Sequence, residues 1–406
     1  MKILYLCHRF PFPPKRGGKI RPFNMIRHLS QHHEVTVCSL VRSEQELDEG
    51  KGIGAFCARY ESFKVHDPVQ WGRMIARLPV GTPSSFGFFY SARMQRRVNE
   101  LLSTERFDLI FVHCSSVAGY VAHVRHTPKI LDFGDMDSQK WLEYVHYKPW
   151  PLKWGYALEG LKLQRREAWL ARQFDLCTAT TRAEWQTLES YQTGATSDWF
   201  PNGVDAEFFV PDGQGYDPQT ISFIGRMDYY PNQEAMLRFC ELTWPLVRTR
   251  HPDSRLLIVG ADPSEAILAL KKVPGVTVTG SVADVRPFIL RSAAMVAPLN
   301  IARGTQNKIL EAMSMGVPVI ASRIAAAGVD ASAPEHLRVA DEPHELCQEI
   351  SRIMTDQDER ARLAVSGRDR VLSHHAWPAS MKRLDTIVAR CLAKRVSAPT
   401  AGIDPS

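Results

Sequence analysis

Apolar residues along this chain cluster in short runs, several of them followed by a polar loop and a stretch with helical spacing. In the first half the runs at 3–7, 35–41, 109–113, 129–133 and 176–180 read as strands, and Phe23, Ile26 and Leu29 mark a helix between the first two. Runs with apolar residues on both alternating faces suit strands covered on both sides. Strands that alternate with helices make a parallel α/β sheet. The rhythm restarts at 220–224, 255–259, 276–279, 294–297 and 317–321, and four of these runs end directly in Gly225, Gly260, Gly280 or Pro298. Ligands of doubly wound sheets bind beyond the carboxyl ends of the strands, so the polar residues just past these runs are the candidates for chemistry.

The two rhythms predict two domains, which suits a length of 406 residues. The joint is Pro201, Asn202, Gly203, Val204 and Asp205, a strong turn signal, and a hinge is expected over 200–218. The division expected is 1–205 and 206–377, then a final helix over 378–395 and a frayed tail over 396–406.

The segment 303–320 carries the densest chemistry. Arg303 and Gly304 open a loop through Thr305, Gln306 and Asn307 into a short helix that starts with Lys308 and holds Glu311. Gly316 and Pro318 stop that helix before the next strand. A loop feeding a helix N-terminus offers free backbone N–H groups and the positive end of a dipole, which suits a phosphate. Lys308 adds a full charge and Glu311 can hold ribose hydroxyls. The segment reads as the phosphate and ribose end of a nucleotide site, although an ordinary loop–helix–strand unit has the same outline. Arg226 lies just past the 220–224 run, where a guanidinium can grip a diphosphate in a bidentate way.

Other loops say less. The first run enters a basic, proline-stiffened loop in which Gly17 and Gly18 permit close backbone approach. It is not the G-x-G-x-x-G of a dinucleotide-binding dehydrogenase. Asp132, Asp135 and Asp137 follow another strand end, but alternation on an extended segment does not turn all three to one face, and such acids often cap helices. Metal ligation there is disfavoured. The segment 141–174 mixes Trp141, Trp150, Trp154 and Trp169 with Lys148, Lys153, Arg165 and Arg166. A basic aromatic helix of this kind either lies on an anionic membrane or packs as an ordinary amphipathic helix.

A net charge of +6 fits anionic partners without calling for nucleic acid, and no nucleic-acid-binding pattern is present. The eight cysteines show no metal spacing and no C-x-x-C. Several sit in strand runs, as buried thiols of a reducing compartment do. The first apolar run is too short for a signal peptide, and no stretch is long enough to span a membrane. The expectation is a cytoplasmic protein, with contact at the inner face of the membrane as an option.

Taken together, the Pro13–Gly18 loop, the 201–205 joint, Gly225 with Arg226, the 280–288 segment and the Lys308 to Val319 segment resemble the retaining nucleotide-sugar glycosyltransferases of glycosyltransferase family four. The 132–141 segment and Arg303 to Lys308 look like a subset tied to exopolysaccharide gene clusters of the exosortase (PEP-CTERM) type. The resemblance implies the α/β GT-B fold, with two Rossmann-like domains facing across a cleft and the last helix crossing back onto the first. It implies that Arg226 and Lys308 hold the donor diphosphate, Glu311 the ribose, and Gly304, Thr305, Gln306 and Asn307 the phosphate through N–H groups. Val282 would lie near the base, and Gly17 and Gly18 would close over the phosphates. The acceptor would be a glycan or a polyprenyl or other lipid-linked molecule, with no cofactor and no metal.

Two departures from the family pattern stand out. Relatives often place a glutamate eight positions before the Glu311 equivalent, where this chain has Arg303, and a lysine five or six positions beyond the Arg226 equivalent, where it has Pro231 and Asn232. Lys308 is read as supplying the missing cation, and Arg303 as pointing to an acidic or acetylated donor sugar. Relatives also often carry a histidine after a first-domain strand. Near 132–138 this chain offers acids, with Asp135 as the catalytic candidate that orients the sugar or balances its cationic character, and His113 after an earlier strand as the substitute. Fixed cations and N–H dipoles would stabilise charge on the leaving diphosphate, and with retention the diphosphate itself would take the acceptor's proton. An epimerase or hydrolase on the same scaffold, or a non-catalytic nucleotide-sugar-binding protein, is the alternative.

Overall fold

The computed structural model describes residues 1–14 and 17–396. Lys15 and Arg16 of the first loop, and residues 397–406 of the expected tail, lie outside the described residues. The chain divides into two compact units, Met1–Phe200 with the chain from Met381 onward, and Pro201–Ser380.

The first unit is built on a seven-stranded sheet. Its strands are β1 (Lys2–Cys7), β2 (Glu34–Val41), β3 (Arg59–Lys64), β4 (Leu109–His113), β5 (Lys129–Gly134), β6 (Leu176–Ala179) and β7 (Ser197–Trp199). They lie in the order β3-β2-β1-β4-β5-β6-β7, all parallel. The central strands β1, β4 and β5 are buried almost throughout, as strands covered on both faces are. The final helix, Trp377–Val396, is fastened to this unit by His28 to Asp385 (2.8 Å), Arg390 to Asp198 (2.8 Å) and Lys394 to Thr196 (2.6 Å).

The second unit repeats the plan with six strands. These are β8 (Asp217–Ile224), β9 (Arg255–Val259), β10 (Val276–Gly280), β11 (Ser292–Ala297), β12 (Val319–Ala321) and β13 (Arg338–Val339). The order β10-β9-β8-β11-β12-β13 is again parallel throughout. Counted within the unit it is 3-2-1-4-5-6, the Rossmann order. Each unit has its own apolar core. The expected pair of doubly wound α/β units is what forms. In each sheet the order reverses between the first and fourth strands, β1 and β4 in one, β8 and β11 in the other. Those two switch points are where a ligand crevice opens.

Among the described residues no helix is long and apolar enough to cross a membrane.

Candidate functional site

At the switch point of the second unit, β8 runs into Gly225 and Arg226, while β11 runs into the loop that ends in the helix Asn307–Ser314. Asn232 joins the two. Its Nδ2 donates to the Arg226 carbonyl (2.8 Å), and its Oδ1 accepts from Lys308 Nζ (2.6 Å). The ammonium also sits 4.4 Å from the centre of the Phe223 ring. Residue 225 has to be glycine here: a Cβ would come within 2.6 Å of Asn232 Nδ2 and 3.3 Å of Lys308 Nζ. Burial pulls Lys308 down to about 7 and pushes Glu311, three residues on, up to about 7, and each charge offsets part of the other's cost.

The loop ahead of the helix is shaped for a ligand. Gly304 is buried with φ +62°, and its carbonyl would be struck at 2.2 Å by any Cβ on Gly328. Gln306 Nε2 turns back to the Arg303 carbonyl (3.1 Å), so it makes no side-chain cap for the helix, and the first-turn N–H groups are not spent on it. Thr305 Oγ1 and Asn307 Oδ1 are withdrawn from solvent without a hydrogen-bond partner in the protein. Unpaired buried polar atoms cost about 1–3 kcal/mol each, a cost that a bound ligand at this helix start would remove. Arg226 stands at the strand end but is already engaged. Its Nε and Nη2 pair with Asp228 (2.9 and 2.5 Å), and Nη2 also reaches Asp262 (3.0 Å). Val282 lies just past β10, half-buried against the second core, and Arg303 is exposed at the loop's start.

At the switch point of the first unit, β1 leads into His8 and β4 ends in His113, with Cys7 and His113 in register. The rings of His8 and His113 are 6.0 Å apart, and His8 packs edge-on to Phe89 at 5.2 Å. Burial pushes His8 well below the usual histidine range, and its Nδ1 has no hydrogen-bond partner. His113 Nδ1 lies 2.7 Å from Asp132 Oδ2. Asp132 is fully buried; Arg21 and the hydrogen bond from His113 hold it ionised against the opposing effect of burial. An ionised carboxylate only accepts, so the Nδ1 proton sits on His113 and Nε2 is left for another partner. Asp132 also takes Arg21 Nε and Nη2 (2.9 Å each) and Thr178 Oγ1 (2.8 Å). Arg21 in turn donates to the Phe200 carbonyl (3.1 Å) and stacks on its ring at 3.7 Å. Cys114, next to His113, holds φ +83°, a strained geometry costing about 1–3 kcal/mol that concentrates at functional sites.

The three acids after β5 part company. Asp132 points into this network, Asp135 is exposed and accepts from Thr180 Oγ1 (2.7 Å), and Asp137 opens the helix Asp137–Tyr144. The loop between them is fixed by buried carboxyls: Glu184 accepts from Met136 N (2.8 Å), and Glu167 from Ser138 N and Oγ (3.0 and 2.5 Å). Among the described residues no group of three or more His, Cys, Asp or Glu side chains is placed to hold a metal ion.

The structure thus brings Lys308, Glu311, Thr305, Asn307 and the Arg226 backbone to one switch point. Asp135 and His113 belong to the first unit, as do Gly17 and Gly18, which begin the helix Gly17–Leu29. Sequence reasoning missed Asn232 as the group that seats Lys308, although it lies six positions beyond Arg226. It also missed the acids that occupy Arg226 and the Arg21–Asp132 pair. Nothing in the linear order links Arg21 to Asp132.

Residues 16–208 match the family described as Glycosyltransferase Family 4, and residues 218–356 the one described as Glycosyl transferases group 1. No curated protein matches the sequence. Among solved structures, HepE of Anabaena in complex with UDP aligns over 96% of this chain and 100% of its own, with a TM-score of 0.68 and 15% identity. Sucrose-phosphate synthase from Thermosynechococcus elongatus aligns over 97% and 100%, with a TM-score of 0.68 and 15% identity. A glycosyltransferase from Rickettsia africae aligns over 96% and 98%, with a TM-score of 0.63 and 13% identity. The fold they share with this chain is GT-B.

Proposed function

We propose that this chain, a GT-B glycosyltransferase by both of its matched halves, moves a sugar from a nucleotide-sugar donor to a glycan or lipid-linked acceptor, with retention and without a metal. The observation that carries the donor assignment is the seating of Lys308 on Asn232 beside Gly225, at the N-terminus of the helix that also bears Glu311. Lys308 and the first-turn N–H groups face the diphosphate, Thr305 and Asn307 supply its remaining partners, Glu311 takes the ribose, and Val282 lies by the base. Arg226 joins the diphosphate by exchanging Asp228 and Asp262 for phosphate oxygens. HepE, with the same fold, has been solved with UDP and with UDP-glucose, which supports a nucleotide sugar as donor and makes uracil the first base to test. Within the first unit the candidates for a catalytic role are Asp135, which is exposed, and His113, whose ring Asp132 orients. The resemblance of Arg303–Lys308 and of the 132–141 segment supports a place in exopolysaccharide or glycolipid assembly at the inner face of the membrane.

The direct test is a thermal-shift series with UDP-, GDP- and ADP-sugars. A donor present at one hundred times its Kd stabilises by about 2.7 kcal/mol, and one base should stand out. No shift with any of them overturns the donor assignment. Sugar found on a glycan or lipid supports transfer, whereas sugar free in solution supports hydrolysis.

The site also dictates a pH dependence. With Lys308 brought down to about 7, its charge is lost as pH rises through neutrality, while a bound diphosphate favours the ammonium. Donor binding at pH 8 is therefore expected to take up about one proton, and affinity to fall by up to about tenfold per pH unit above 7. Calorimetry in buffers of different ionisation enthalpy measures the uptake, which should vanish in Lys308→Met.

A further inference from the structure

The helix Leu152–Ala171 wears apolar side chains on its exposed side. Trp154, Leu158, Leu161 and Trp169 recur there at helical spacing with Arg165 among them. The two acids of this helix, Glu159 and Glu167, are both buried. Glu159 accepts from the backbone N–H groups of Ser84 and Ser85 (3.0 and 2.8 Å). Beside it, the helix Asp67–Ala76 and the turn after it expose Trp71, Ile75, Leu78 and Val80. Lys162 Nζ donates to the Leu78 carbonyl (2.7 Å), which fastens this turn to the long helix and joins the two sets. More than half of the exposed large apolar side chains among the described residues fall in 69–80 and 147–169, led by Trp150 at 75% exposure, Trp154 at 66% and Ile75 at 60%. A concentration of this kind marks an interaction face.

The charged groups set against the aromatic rings of the long helix and the turn before it are cations. Lys153 lies 5.8 Å from the Trp154 ring, Arg166 stacks on Trp169 at 3.9 Å, and Lys148 is 5.4 Å from Tyr156. Indoles flanked by lysine and arginine are the chemistry of a bilayer's headgroup layer, where the ring meets acyl chains and the cation meets lipid phosphate. A second copy docked on the same face would set these cations against one another, because a twofold interface apposes a patch with itself. We infer that this face of the first unit binds an anionic lipid bilayer, with Trp150, Trp154 and Trp71 at headgroup depth. The inference deepens the lipid-linked acceptor reading above, yet binding to bilayers is measurable without any acceptor.

The test is co-sedimentation of the full chain with vesicles of phosphatidylcholine alone and with added phosphatidylglycerol. The chain is expected to pellet with the anionic vesicles, and less so in high salt. Trp150→Ser/Trp154→Ser should lower the vesicle partition roughly tenfold or more, and Lys148→Gln/Lys153→Gln about thirtyfold on anionic vesicles. UDP-dependent thermal shifts, read in parallel, should be unchanged in both variants, so a failed donor assignment shows there and a failed membrane assignment shows in the pellets. Absence of vesicle binding, equal binding by the variants, or a concentration-dependent dimer that the tryptophan variant abolishes would overturn the proposal.

Discussion

Replacing Lys308 with alanine is expected to lower kcat by about 100- to 1,000-fold, the cost of removing one preorganised partner of a developing anion, about 3–4 kcal/mol. The ammonium is fixed by Asn232 Oδ1 at 2.6 Å and rests against the Phe223 ring, so it need not reorganise when the sugar–phosphate bond breaks. The loss should fall on kcat as well as on donor affinity, which steady-state kinetics with varied donor will separate. Lys308→Arg should not restore the rate, because the floor at Gly225 leaves no space for a larger head group. Folding should survive the change. The native site disfavours the lysine charge, as its downward shift records, and Glu311, already pushed up to about 7, can take a proton rather than remain a buried unpaired charge. A variant that melts like the parent and turns over within about threefold of it would sink the assignment.

Asp132→Asn is expected to cost about 3–5 kcal/mol of stability, read from urea unfolding, because it leaves the buried Arg21 guanidinium without its countercharge. The sign of the pH dependence follows from the direction of the shift. A carboxylate held below its unfolded value stabilises the fold at every pH above that value and loses the contribution as pH falls through the folded one. The deficit of the variant should therefore be constant across neutral pH and close only in strong acid. Activity should fall further than stability accounts for. An asparagine can present its N–H₂ to His113 Nδ1 and reverse the tautomer, and a wrongly poised imidazole loses its role even where the geometry is kept. If Asp132→Asn retains the parent's unfolding free energy, the pair is not holding the first unit together.

The central strands of both sheets were legible because each buries both faces and so is rich in apolar residues at successive positions. The strands that escaped notice, β3, β7 and β13, all lie at sheet edges. Arg59, Glu61 and Lys64 in β3 are charged because one side of that strand has no neighbour, and β7 and β13 are too short to establish a pattern. The same logic divides the site. Lys308 and Glu311 could be read because loop, helix start and charge are consecutive in the chain. Asn232 and Asp262 could not, since their meaning comes from neighbours brought in by parallel pairing. Asp135 drew attention as an acid after a strand, whereas the bulge between Asp132 and Gly134 turns Asp132 inward to meet His113 and leaves Asp135 in solvent.

The second unit enters and leaves the chain at a single place. Val204 N donates to the His375 carbonyl (2.7 Å), Ser380 Oγ donates to the Pro201 carbonyl, and a Cβ on Gly203 would collide with Trp377 at 2.4 Å. While these residues are stitched, the first unit experiences its own last helix as tethered by a few residues. Were the second unit to melt, the tether would become a loop of about 180 residues. That is some five doublings of loop length at about 0.6 kcal/mol each, or about 3 kcal/mol of closure entropy charged to the docking of a helix that the melted residues mostly do not contain. A ligand that holds the second unit folded thus also stiffens the first, through the length of free chain alone.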